Sequence, residues 1–405
     1  MKAWEQKYQE WISDFYHGEL LFFAGFILIL FRGMWLSTMF SQNRMLSLLS
    51  IPVAALLIGL KILLFDHYPV KQFLLLGMAL ICTLFSCYFS HTVNAFLMVL
   101  LVLGSKNIKF EKILKVYLVI IGSLMILAFL SSLVDVIENL QYEQEHRRLR
   151  NAFGSIYPTD FASHIFYYIT IIFYLKKDGL RCVHYMVAAG LAVLIYYFCD
   201  TRLDSASILL LIVFYWLGYE IENSSFISRN IKSIWDDTWK KIRVFLVPIL
   251  AVVSIMSTVL YRENNVFWMW LDKLLSNRLS LGKNAYLKSG IQWLGQNIEM
   301  VGFGGTTEIV SNYNFVDCSY VHVLLVNGVL FLTVLLILYV FCGRKNSNNL
   351  YFSYVIAVVA INCMIAHHLL QVEYNVWLLS LLSIDSCTEG KEKNNGGYYS
   401  YKDND

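Results

Sequence analysis

Charged residues are scarce in this 405-residue chain: Asp, Glu, Lys and Arg together make up 15% of it, while 58% is hydrophobic. Soluble domains carry about 25% charged residues. The composition therefore excludes an ordinary soluble domain and indicates that most of the chain lies in membrane lipid. The net charge is only +3, and no basic tail or arm is present, so nucleic acid is not an expected partner.

Motifs for nucleotides and metals are missing as well. The sequence contains no P-loop, no protein-kinase signature, no GxSxG elbow and no zinc motif. Its eight cysteines form no CxxC pair and no metal-ligand spacing, so we interpret them as small core residues and expect neither a metal nor another cofactor. Without a nucleotide site, any driving force must come from an ion gradient or from a substrate that is already activated.

Long hydrophobic runs are what the sequence has in abundance. A membrane-spanning helix needs about 20 mostly apolar residues. Ten clear runs lie at 20–37, 45–64, 72–90, 113–134, 160–175, 182–199, 205–221, 243–260, 319–341 and 351–367, and two weaker ones at 92–104 and 374–386. Because backbone in lipid must satisfy its own hydrogen bonds, the sequence predicts an all-α, polytopic integral membrane helix bundle of about 12 transmembrane helices. A long helical external loop then separates helices 9 and 10.

Basic residues predict the orientation. They cluster in four connections, near 106–115, 176–181, 229–243 and 344–345. Positive charge is retained on the cytoplasmic side, and the four connections alternate correctly if all are cytoplasmic. We therefore expect a multi-pass protein of the cytoplasmic membrane with both termini inside. Its parts are a cytoplasmic segment without a cleavable signal (1–19), a membrane domain (20–386) with external loops at 135–159 and 261–318, and a cytoplasmic polar tail (387–405).

Arginines collect on the predicted outer face, where short loops normally lack them. Arg202 lies between Asp200 and Asp204 in a five-residue segment joining two hydrophobic runs, and Arg278 lies in a predicted amphipathic helical cap within 261–318. Guanidinium groups donate paired hydrogen bonds to pyrophosphate, so we predict catalytic roles for both. Further predicted substrate-binding residues are Arg147, Arg148, Arg150 and Lys283. For Arg147 and Arg148 the alternative is a contact with lipid headgroups or nearby acids, and for Lys283 a solvated face.

Asp317 stands just before the hydrophobic run at 319–341. A carboxylate there can cap a helix or serve as a general base; both readings stay open, and we predict a catalytic role. Tyr320, one turn further on, is a predicted substrate-binding residue, as are Gly304 and Gly305 in the glycine-rich stretch 302–305. Those glycines match a phosphate loop only loosely, and the alternative is a close backbone turn.

Several segments together resemble the Wzy-type polymerases of capsule, exopolysaccharide and O-antigen synthesis, which are related to the O-antigen ligases. The segments that carry the likeness are 150–158, 199–204, 276–282, 302–305 and 317–320 followed by Gly328. They form an ordered series between about 110 and 385. The Arg-x10-Gly pattern of some Gram-negative polymerases is not met at Arg202 or Arg278. Related ligases place a histidine at the helix start where this chain has Asp317.

The resemblance implies an enzyme on the outer face of the membrane that polymerises undecaprenyl-pyrophosphate-linked oligosaccharide repeat units. It would transfer the growing glycan to the non-reducing end of the incoming unit and release undecaprenyl pyrophosphate, with no metal or nucleotide cofactor. The implied partners are that lipid-linked oligosaccharide, membrane lipid, a flippase and a chain-length regulator. The alternatives are a polysaccharide flippase or other transporter and a lipid-linked glycan ligase. We find no two-half repeat of the kind that transporters commonly show.

Overall fold

Helices account for nearly all regular structure in a computed structural model, which describes residues 15–42, 44–143, 148–307 and 313–384. The α-helices are α1 (Phe15–Leu36), α2 (Arg44–Phe65), α3 (Val70–Ser90), α4 (Asn94–Gly104), α5 (Phe110–Leu133), α6 (Pro158–Lys176), α7 (Cys182–Phe198), α8 (Arg202–Asn223), α9 (Arg229–Leu260), α10 (Val266–Leu274), α11 (Arg278–Ser289), α12 (Ser319–His322), α13 (Gly328–Lys345) and α14 (Leu350–Asn362). A short antiparallel pair, β1 (Gln141–Tyr142) and β2 (Arg150–Asn151), lies between α5 and α6.

The outward faces of these helices are apolar, as lipid contact requires. Among the described residues, seven helices are long and apolar enough to cross a membrane: α1, α2, α3, α5, α8, α9 and the continuous α12–α13. Large apolar side chains such as Leu63, Phe73 and Val119 are more than half exposed on them. Water would penalise that exposure and lipid does not. The prediction of an all-α membrane bundle is therefore confirmed, whereas the count of about twelve spanning helices is not.

The two weak hydrophobic runs form different structures. Run 92–104 becomes α4, which has only 11 residues and packs, almost wholly buried, against α2 and α3. Run 374–386 forms no α-helix over its described part, up to 384; it holds one turn of 3-10 helix, Trp377–Leu381. Irregular backbone at membrane depth is tolerated where protein surrounds it or where it lines a cavity. Here Tyr117 donates to the carbonyl of Glu373 (2.7 Å) and Asn375 to that of Leu369 (3.2 Å).

Part of the 261–318 segment forms backbone hydrogen bonds with one long helix where the regular α-helical pattern of that helix is interrupted. α12 passes through a π-helical turn (Val323–Asn327) into α13. Residues 292–296 bind the backbone groups freed there: Gln296 N–H donates to the carbonyl of Val326 (2.9 Å), and Val329 N–H donates to that of Gln292 (3.1 Å). We call residues 292–296 and 326–330 the loop–helix joint. Gly328 has φ +88°, and a Cβ on it would overlap Gly295, so the joint needs glycine here.

The predicted helical cap within 261–318 consists of two short helices, α10 and α11, while the described residues from 290 to 318 contain no helix. α10 keeps apolar side chains exposed, including Phe267 and Trp270 at 59% each. Such a face suits the membrane surface. α11 turns inward and packs against α9, which places its first residue, Arg278, at the end of the bundle.

Candidate functional site

A two-lobed cavity opens at one end of the bundle, where the α7–α8 connection meets residues 150–160, 302–304, 313–317 and 365–374. The larger lobe, about 560 Å³, is lined by three arginines and three aspartates, and we call it the arginine lobe. The smaller, about 340 Å³, contains three carboxylates and one arginine, and we call it the carboxylate lobe. The wall common to both lobes is formed by Tyr157, Thr159, Phe303, Tyr313, Asp317 and His367.

Arg278 and Asp317 form an ion pair on that common wall. Arg278 Nη1 lies 2.5 Å from Asp317 Oδ2, and the two side chains are 21% and 15% exposed. The start of α11 is fixed by Asp272, whose Oδ1 accepts hydrogen bonds from Leu279 N–H (2.8 Å) and Ser280 N–H (3.1 Å). A buried carboxylate that binds two N–H groups at a helix start stabilises that start. Asp272 therefore positions the guanidinium of Arg278.

The helix-cap reading of Asp317 does not agree with the structure. The N-cap position of α12 belongs to Cys318, and no described side chain caps this helix. Asp317 instead faces Arg278. Burial raises the pKa of the Asp317 carboxyl above its ordinary value, and the charge of Arg278 opposes that rise. A carboxylate with a raised pKa beside a cation suits proton acceptance.

Arg202 is the first residue of α8 rather than part of a loop. Its side chain lines the arginine lobe and is 72% exposed, with Nε 4.0 Å from Asp200 Oδ1. Of the two flanking aspartates, only Asp200 faces it. Asp204 is buried, and its Oδ1 accepts from Ser163 (3.1 Å) and Asn362 (3.1 Å), joining α8 to α6 and α14. Arg202 is thus held loosely at the mouth of the lobe.

Arg150 is the third arginine of the lobe, and it is only 3% exposed. Its Nε donates to the carbonyl of Cys199 (3.0 Å), and its Nη1 donates to the hydroxyl of Tyr157 (3.0 Å). The guanidinium also lies over the Tyr157 ring, 5.0 Å from its centroid. Arg150 therefore ties its loop to the end of α7 while adding positive charge to the lobe.

Other predicted substrate-binding side chains are not brought to the cavity. Arg147 lies outside the described residues. Arg148 is exposed beside the rings of Tyr196 and Tyr197, 5.7 Å and 5.3 Å from their centroids. Lys283 donates to the last turn of α9, at the carbonyl of residue 259 (2.5 Å). A lysine there compensates the negative end of that helix, so its observed role is structural.

Tyr320 is fully buried in the core, and its hydroxyl donates to the carbonyl of Ala360 (2.9 Å), away from both lobes. The glycines differ from each other. Gly304 lines the carboxylate lobe. Gly305 has φ +79° and donates its N–H to the carbonyl of Ile156 (2.9 Å), so it makes the turn that holds residues 302–305 over the lobe.

Sequence reasoning missed Arg32, Asp160 and Glu373, which line the carboxylate lobe. One signal was available: ionisable residues within or beside apolar runs commonly mark functional sites in membrane proteins. His367, which sequence reasoning placed at the outer end of a helix as a candidate for polar recognition, lines both lobes. Tyr374 packs between two other histidines, its ring centroid 4.0 Å from that of His164 and 3.8 Å from that of His368.

An apolar groove of about 840 Å³ lies beside the arginine lobe, between α5, α6 and α7. Phe129, Phe161 and Phe198 are among the large side chains along it, and its lining ends at Cys199. The carbonyl of Cys199 accepts the hydrogen bond from Arg150, and Asp200 belongs to the arginine lobe. Groove and lobe therefore adjoin each other at the end of α7.

No three His, Cys, Asp or Glu side chains in the described part of the chain are grouped so as to hold a metal ion. No protein-family model matches the chain, and comparisons with curated proteins and with solved structures give no match.

Proposed function

We propose that the protein polymerises undecaprenyl-pyrophosphate-linked oligosaccharide repeat units at the outer face of the cytoplasmic membrane. The observation that carries the proposal is the junction of the arginine lobe with the apolar groove at Arg150 and Cys199. A molecule with an anionic head and a long hydrocarbon tail can bind the arginine lobe with its head and the apolar groove with its tail. Arginine is suited to the pyrophosphate head, and the groove removes the tail from polar surroundings.

The reaction is a displacement at the anomeric carbon of the growing glycan. A hydroxyl oxygen of the incoming unit attacks that carbon, and the bond from carbon to pyrophosphate oxygen breaks. The electron pair leaves on the pyrophosphate, where Arg202 and Arg278 stabilise the increasing negative charge. The hydroxyl proton passes to the carboxylate of Asp317. Transfer to the non-reducing end of the incoming unit releases undecaprenyl pyrophosphate.

The orientation belongs to the same proposal, and the alternation of basic connections supports a cavity outside the cell. Cysteines introduced one at a time at the exposed positions Lys288 and Ser233, in a background in which Cys182 and Cys387 are replaced by Ser, test it. A thiol reagent that does not cross the membrane will label Lys288→Cys in intact cells and leave Ser233→Cys unlabelled. Labelling of Ser233→Cys but not of Lys288→Cys would show that the protein has the opposite orientation.

Reconstitution tests the activity directly. Purified protein in liposomes receives lipid-linked repeat units extracted from cells of the source organism that lack this protein, without flippase or chain-length regulator. We expect a ladder of polymers on a gel, strongly reduced in Arg202→Gln. The matched control is Arg229→Gln, an exposed arginine at the first residue of α9. Movement of intact repeat units across the bilayer without a ladder would instead favour a flippase.

A further inference from the structure

We propose that the carboxylate lobe binds the terminal sugar of the incoming repeat unit and so forms the acceptor site. This inference rests on the proposed function, and it adds residues that the sequence did not single out: Arg32, Asp160, Gln371 and Glu373, with Asp317 on the wall shared with the arginine lobe.

The lining of the lobe has the chemistry of a neutral, polyhydroxylated ligand. Three carboxylates face it with one guanidinium, whereas the arginine lobe has three guanidinium groups for its three carboxylates. A second pyrophosphate would meet like charges there. Carboxylate and amide oxygens accept hydrogen bonds from hydroxyl groups, while amide and guanidinium N–H groups donate to hydroxyl oxygens. Sugar rings present both kinds of partner around their edge.

Aromatic residues supply the remaining surface of the lobe, with Phe303, Phe315 and Tyr313 among them. Their faces can cover the apolar C–H surface of a sugar ring, in the manner of an amphipathic ligand whose edge stays hydrogen-bonded. The volume of about 340 Å³ lies at the lower end of small-molecule sites, about 300–1,000 Å³. That size fits a terminal residue rather than a whole repeat unit.

Glu373 is placed in the lobe by a close approach of two segments. A Cβ on Gly33 would lie 2.6 Å from Glu373 Oε2, so only glycine leaves room for this carboxylate against α1. Arg32, the residue before that glycine, lines the same lobe, and its buried Nε has no hydrogen-bond partner among the described atoms. A buried donor without a partner costs free energy, and a ligand oxygen would satisfy it.

The two lobes share one carboxylate, that of Asp317. A sugar in the carboxylate lobe brings a hydroxyl to Asp317, while a pyrophosphate in the arginine lobe lies beside Arg278, whose Nη1 is 2.5 Å from the same carboxylate. Acceptor and leaving group would therefore reach Asp317 from different lobes. Such an arrangement would hold two reactants next to each other beside one base.

Two ligands distinguish binding in the carboxylate lobe from binding in the arginine lobe. The first is the free oligosaccharide released by mild acid from the lipid-linked repeat units, and the second is geranyl pyrophosphate; both are titrated by calorimetry into detergent-solubilised protein. We expect Glu373→Gln to weaken oligosaccharide binding by about 10- to 100-fold, the loss of a hydrogen bond to a charged group, and to leave geranyl pyrophosphate binding unchanged. Arg202→Gln should have the opposite pattern. Glu263→Gln, at an exposed position that lines neither lobe, is the matched control.

If Glu373→Gln does not fold, the double variant Arg32→Gln with Glu373→Gln removes both charges together and is measured in its place. Failure of wild-type protein to bind the oligosaccharide, or unchanged oligosaccharide affinity in the variant, overturns the acceptor site. A loss of geranyl pyrophosphate binding alone in Glu373→Gln also overturns it, because the lobe would then belong to the anion. Failure of wild-type protein to bind geranyl pyrophosphate contradicts the proposed function instead.

Discussion

Replacing Asp317 by Asn tests the general-base role that we propose for this residue, although the change also breaks its ion pair with Arg278. The side chain keeps its shape and loses its charge, and because Cys318 occupies the N-cap of α12, no capping energy is lost. Exposed ion pairs are worth about 0–1 kcal/mol, and breaking a fully buried pair costs about 3–5 kcal/mol. This pair is 21% and 15% exposed, so we expect a loss of about 1–3 kcal/mol in stability, between those limits. Loss of a general base should lower polymerisation by about 10²–10⁴-fold.

The Arg278→Gln background decides how Asp317 acts. If the carboxylate only holds the guanidinium in place, then Asp317→Asn adds no further loss of rate once Arg278 is Gln, because the two changes remove one interaction. If Asp317 accepts the proton, the second substitution lowers the rate again by about 10²-fold or more. The assay is the initial rate of ladder formation in liposomes, with thermal unfolding measured on the same preparations. Near-wild-type polymer from Asp317→Asn, or no extra loss in the double variant, would refute the general-base role.

Three other substitutions or conditions probe the same site. Arg202→Lys keeps the charge but loses the paired donors, so polymer yield should fall at normal protein level. An unchanged yield would show that Arg202 contributes no paired hydrogen bonds to the reaction. Asp272→Ala removes the two hydrogen bonds at the start of α11 and should lower stability by about 1 kcal/mol; an unchanged melting temperature and rate would exclude a positioning role. Burial raises the pKa of Asp317. As the pH is lowered, the rate should therefore begin to fall at a higher pH than it would with an aspartate of ordinary pKa. Arg278→Gln removes the charge that lowers the pKa of Asp317, so the decrease in rate should begin at a still higher pH. The rate measured as a function of pH for wild type and variant tests both expectations.

The architecture was predictable where hydropathy alone decides it. All ten clear hydrophobic runs contain an α-helix, because lipid leaves the backbone few alternatives. The run at 374–386 was predicted incorrectly over its described part. Its backbone is stabilised by contacts such as that of Tyr117 with Glu373, 256 positions apart, and no local pattern reports a partner so distant. Run length likewise does not reveal that α4 is buried inside the bundle.

The site was predictable in part. Arg278 and Asp317 could be chosen because charge beside an apolar run is rare, but their contact depends on Asp272, which fixes the start of α11. Lys283 and Tyr320 looked equally suitable in sequence. Which side of a helix faces a cavity follows from packing between helices, and the sequence of one helix does not contain that information.

The loop–helix joint has a consequence for building chimeric proteins. Residues 292–296 complete hydrogen bonds that α12–α13 would otherwise lack at its break, so neither part satisfies its own backbone there. Exchanging the 261–318 segment alone for a foreign segment of similar length should leave buried backbone groups unpaired at the break and give unstable protein. The transferable module runs from residue 261 to the end of α13, because it carries both halves of the joint. The 261–318 segment and the membrane-spanning helix that follows it therefore form one structural unit in this chain.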